Sequence, residues 1–102
     1  MAAAIDGGLV LTGRSARCRV ENVSRAGCRL RLDEPPLLGA TVLVRIERAE
    51  ALGTAVWVRN GRCGVTFARP LEPRELERLR WIVEHPGEHE KNIMASATAI
   101  WR

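Results

Sequence analysis

Two runs of alternating apolar and polar residues meet at Asn22–Gly27, and this junction constrains the fold more than any other feature of the chain. Upstream, Ala16, Cys18 and Val20 alternate with Arg17, Arg19 and Glu21. Downstream, Cys28, Leu30 and Leu32 alternate with Arg29 and Arg31. Successive side chains of a strand point to opposite faces, so this period predicts two half-buried strands, Ala16–Val23 and Cys28–Leu32. The corner between them is turn chemistry. Asn22 and Ser24 can hydrogen-bond nearby backbone N–H groups, and Gly27 can adopt backbone conformations closed to other residues. The motif is a strand–turn–strand corner with arginines on one face.

The same reading extends along the chain. Gly8–Thr12 is expected as a first strand and Gly13–Ser15 as a turn. Asp33-Glu34-Pro35-Pro36 breaks the pattern. Thr41–Arg48 is expected as a strand with Val42, Val44 and Ile46 on one face, and Ala49–Gly53 as a loop. Thr54–Arg59 and Arg62–Phe67 read as a hairpin across Asn60-Gly61, because both turn residues tolerate the positive φ of a type I′ turn. Six short strands at this spacing predict a barrel or sandwich. After Pro70–Pro73 the period changes: Leu76, Leu79, Ile82 and Val83 recur at helical spacing, and His85-Pro86-Gly87 ends the helix. The apolar stripe of this helix is expected to lid one end of the barrel. Residues 1–85 therefore read as one domain. Residues 86–102 read as a tail in which Ile93, Ala97, Ile100 and Trp101 fit one face of a short helix.

Asn22, Ser24 and Gly27 match the D/N-x-S-x-x-G signature of the PilZ family, which this chain resembles. Gly39–Val42, Val56–Trp57 and Gly64–Phe67 follow in the family's order, so the resemblance spans roughly residues 8 to 84. It implies a mainly β fold, a six-stranded antiparallel barrel with a C-terminal α-helix. It also implies a bacterial signalling domain that binds the second messenger cyclic di-GMP. The family's other motif, RxxxR, stands upstream of the corner; here that place holds Met-Ala-Ala-Ala-Ile-Asp. Asn22 and Ser24 are expected to bond a guanine edge or phosphate, with Gly27 allowing close approach to the backbone. Arg17, Arg19 and Arg25 supply positive charge. Arg17 and Arg19, two apart on one strand face, are candidates to replace part of RxxxR, or else are ordinary solvent-facing residues.

Composition narrows the function classes. The 102 residues carry a net charge of +4, and arginine supplies 15 of the 16 basic residues. Arginine captures phosphate in planar, bidentate fashion, which suits an anionic partner, and a solvated surface shaped by coding bias explains the same charge equally well. RNA or single-stranded DNA is disfavoured, since stacking platforms need aromatics and the chain has one Phe and no Tyr. Trp57 could be such a platform, but Val56 and Val58 beside it predict core or barrel-end packing. Cys18, Cys28 and Cys63 fall on apolar strand faces in no CxxC pair, which predicts buried free thiols in a reducing cytoplasm. His85 and His89 are separated by Pro86-Gly87, which spoils a metal-binding pair. There is no phosphate-binding Gly-rich loop and no nucleophile–base arrangement, so neither an enzyme nor a bound cofactor is expected. No signal peptide or membrane-inserting run is read. A domain that binds no nucleotide and acts as a protein-interaction adaptor in motility or pilus control is the alternative, with the helix and tail as its contact surfaces.

Overall fold

The computed structural model describes residues 1–85. Six strands precede one helix: β1 (Ala2–Leu11), β2 (Arg14–Val23), β3 (Gly27–Arg31), β4 (Thr41–Ile46), β5 (Ala49–Arg59), β6 (Arg62–Phe67) and α1 (Pro73–Glu84). All pairings are antiparallel, and the strands close into a barrel in the order β1-β2-β3-β6-β5-β4. Closure removes the open sheet edges that a sandwich would leave. The expected barrel and helix are both present. The expected tail helix and His89 lie outside the described residues.

Alternation fills the interior as the sequence pattern requires. Leu9, Val20, Leu30, Val42, Val44 and Cys63 are fully enclosed, with Val65 and Phe67 beside them. The helix closes one end of the barrel through Leu79, with Leu76 and Val83 packed against the core and Leu71 joining from the approach segment. Pro73 opens α1, and the Glu75 carboxylate accepts the Glu72 backbone N–H at 3.1 Å, satisfying a donor that the helix leaves unpaired. At its other end, the His85 N–H bonds to the Trp81 carbonyl, and the two rings stack with centroids 4.5 Å apart.

Several strand limits differ from expectation. β2 starts at Arg14, inside the turn expected over Gly13–Ser15, and β4 ends at Ile46 rather than Arg48. β1 begins at Ala2 rather than Gly8, because its first half pairs with the end of β2, Ala2 opposite Asn22 and Ile5 opposite Val20. An alanine run followed by Asp6-Gly7-Gly8 has no strand signal, and the partner strand supplies the order. The loop expected over Ala49–Gly53 is instead the start of β5. The chain turns at Glu47-Arg48, with Glu47 at φ 56°, and Ile46 pairs directly with Ala49. Gly53 lies within the strand because a Cβ there would sit 2.5 Å from the Thr66 carbonyl oxygen. Its role is close approach between strands, not a turn. The Asn60-Gly61 hairpin is as expected, with φ of 49° and 74°.

Because β3 pairs with β2 and β6, the chain must cross the open barrel end to reach β4. Residues 32–40 make this crossing, with Leu32 and Pro36 buried and Leu37 and Leu38 exposed.

Candidate functional site

The register of the barrel assembles arginines that are distant in sequence. Arg19 on β2 pairs with Arg31 on β3, Arg31 with Arg62 on β6, and Arg62 with Arg59 on β5. Directly paired residues share a face, so four guanidinium groups run in one row across the outside of four adjacent strands. A second row beside it reads Asn22, Arg29, Gly64 and Trp57. Like charges directly opposite one another destabilise a sheet. Two carboxylates offset part of this. Asp6 accepts a hydrogen bond from Arg19 Nη1 at 2.7 Å, and Glu21 Oε1 accepts one from Arg62 Nε at 2.8 Å and lies 3.3 Å from Arg29 Nε. The Arg62 hydrogen bond, reinforced by the charges of Arg29 and Arg31, holds the Glu21 carboxyl below its ordinary value. Arg17, Arg31 and Arg59 make no ion pair with any described residue.

Two concavities open on this face. Above the Arg19–Arg31 pair, β2 diverges from β3 and leaves a notch of about 760 Å³, lined by Asp6, Arg17, Arg19, Arg31, Asp33 and the Asn60-Gly61 turn. A depression of about 500 Å³ lies on the other side of that turn, among Arg29, Trp57, Val58, Arg59 and Arg62. Both fall in the size range of small-molecule sites.

Trp57 corrects the expectation of core or barrel-end packing. It lies outside the barrel, 40% exposed, with its indole flat on Gly64. The cause is a register break between Ala55 and Trp57, which turns the tryptophan outward. Gly64 permits this, since a Cβ there would collide with the indole nitrogen. A half-exposed aromatic plane thus stands beside three arginines.

The residues expected to form the site divide into two groups. Arg17 and Arg19 both line the notch. Asn22 is on the second row, and its Oδ1 accepts a hydrogen bond from the Met1 amine at 3.3 Å. Ser24 Oγ donates to the Gly27 carbonyl at 3.3 Å, and the Ser24 N–H bonds to the same oxygen, which holds the corner closed. The close approach that Gly27 permits is to β6, where a Cβ would run into the Val65 carbonyl. Arg25 is turned from the arginine row: its Nε donates to the Leu71 carbonyl at 2.9 Å and ties the corner to the helix approach. Arg25 and Arg29 stand four apart in sequence, but this spacing does not bring them together, because Arg29 is held at Glu21 instead.

The sequence does not point to Glu21, Arg29, Arg31, Arg59 and Arg62 as members of this face, and offers Trp57 only as the less favoured stacking platform. Alternation alone places Arg29 and Arg31 outward, and the Asn60-Gly61 turn places Arg59 opposite Arg62. The pairing of β3 with β6, which joins these sets, has no local signal.

The thiols are buried. Removal from water raises Cys18 to about 11 and Cys28 to about 12, with nearby Cys63 adding to both, and burial raises Cys63 as well. They are protonated and chemically quiet near neutrality. Among the described residues, no group of three or more His, Cys, Asp or Glu could hold a metal ion, and no helix is long and apolar enough to cross a membrane.

Comparison with known proteins agrees with this architecture. No curated protein and no solved structure matches the chain. The family model for the PilZ domain matches residues 1–85, the span of the barrel and its helix. The chain therefore belongs to the PilZ domain family.

Proposed function

We propose that this chain is a cytoplasmic PilZ-type signalling domain that takes cyclic di-GMP on the arginine face of β2, β3, β6 and β5. PilZ domains are sensor or adaptor modules rather than enzymes. The observation that carries the ligand reading is the row Arg19, Arg31, Arg62 and Arg59, paired strand to strand beside the exposed ring of Trp57. A cyclic dinucleotide presents two phosphodiester charges and two flat bases. Guanidinium groups bind the first in bidentate fashion, and an aromatic face stacks the second. A row of like charges costs stability, and an anionic ligand reverses that cost. Asn22 and the backbone of the corner border the second row, where they can meet a base edge or phosphate.

Titration calorimetry with cyclic di-GMP, with GMP as control, tests the reading. Saturable binding weakened by Arg31→Ala is expected. Arg31 is the informative position because its removal breaks no ion pair among the described residues. Absence of heat at high ligand concentration favours the adaptor reading. That reading draws on Leu37 and Leu38, 83% and 69% exposed on the barrel-crossing segment, and on half-exposed Val56. Apolar groups placed so openly suit contact with a protein.

A further inference from the structure

Glu21 stands at the register break of β2, between Val20 and Asn22, and one of its carboxylate oxygens meets two arginines from two other strands. Both contacts run through Nε: Arg62 at 2.8 Å and Arg29 at 3.3 Å. A guanidinium has one N–H on Nε and four on its terminal nitrogens. The Arg62 Nε–H is therefore occupied by its hydrogen bond and Arg29 Nε lies in ion-pair range of the same oxygen, while the Nη1 and Nη2 groups of both make no hydrogen bond with any described residue. Arg29 and Arg62 are diagonal neighbours on β3 and β6, since Arg29 pairs with Gly64 and Arg62 with Arg31. Without a shared carboxylate they would repel, and each long side chain would sample many rotamers.

We propose that Glu21 is a positioning residue that joins Arg29 and Arg62 into a two-armed fork for a phosphate oxyanion. The fork opens into the depression beside Trp57 and Arg59. Its ligand class is a phosphate group, whether the diester of a cyclic dinucleotide or a simpler phosphate. The proposal rests on the reading of this face as an anion site and identifies the residues that grip the charge. It makes a counterintuitive claim about sign. Charge alone says that a carboxylate next to an anion site weakens binding, so removing it should help. If Glu21 acts by holding the two guanidinium groups in place, removing its charge weakens anion binding instead.

Side-chain ¹⁵N NMR of the full chain, titrated separately with inorganic pyrophosphate and cyclic di-GMP, decides the question. Before ligand is added, the Arg62 Nε–H signal is expected to be resolved and slow to exchange, and to lose that protection in Glu21→Gln. On titration with pyrophosphate both arginines shift, and the variant binds several-fold more weakly while its backbone spectrum elsewhere stays that of the parent. Tighter or unchanged pyrophosphate binding by the variant overturns the proposal, as does an unprotected Arg62 Nε–H signal in the parent. If pyrophosphate shifts both arginines and cyclic di-GMP shifts nothing, the fork stands and the cyclic di-GMP reading falls. If cyclic di-GMP shifts other residues and neither probe moves Arg29 or Arg62, the ligand reading survives and the fork is overturned.

Discussion

Trp57 and Gly64 show how one residue sets the character of this surface. The indole reaches its place only because position 64 has no side chain. Gly64→Ala is expected to lift the ring off the sheet, at a cost of about 1–3 kcal/mol from overpacking. In a chain with Trp81 and Trp101 replaced by phenylalanine, the fluorescence should move to the red as Trp57 enters water; an unchanged spectrum would mean that the ring does not rest on Gly64. The sequence offered the valines on either side of Trp57 as evidence for burial, and the register break reversed that inference. No local pattern marks such a break. The cysteines, by contrast, were legible, because alternation alone assigns them to the interior. Their raised thiol values carry a sign. A folded-state value above the ordinary 9.0 gives stability that is complete below pH 9 and is lost as the pH rises toward 11 to 12 for Cys18 and Cys28. Chemical denaturation across that range should show the decline, and replacing both cysteines by alanine should flatten it.

Among the elements, those with strong periodicity or turn chemistry were legible and those held by partners were not. The Asn60-Gly61 hairpin and α1 follow from residues within a few positions of each other. The first half of β1 and the Glu47-Arg48 turn do not: the former is ordered by pairing with the end of β2, and the latter has no Gly, Asn or Pro to announce it. Helix α1 tests whether its role as a lid is structural. Leu79 is fully enclosed under it, so Leu79→Ala should destabilise the fold by about 2–5 kcal/mol in urea titration. A loss well under 1 kcal/mol would indicate that the barrel end is held closed without the helix.

On the scale of the whole molecule, the candidate site is a product of topology. β3 lies between β2 and β6 although β4 and β5 intervene in sequence, and this order alone lines up Arg19, Arg31, Arg62 and Arg59. The corner motif was visible in the sequence because it is local; the arginine row was not, because its members come from four strands. The corner residues themselves divide: Ser24 and Gly27 shape the turn and its packing on β6, and Arg25 fastens it to the helix approach. The central claim is that the row, rather than an upstream RxxxR, supplies the charge for a phosphodiester ligand. Calorimetric titration of cyclic di-GMP into the parent, Arg31→Ala and Arg48→Ala tests it most directly, since Arg48 lies at the β4–β5 turn near the helix end of the barrel. The account predicts saturable binding to the parent and to Arg48→Ala, with marked weakening in Arg31→Ala. Equal binding by all three chains, or none by the parent, would contradict it.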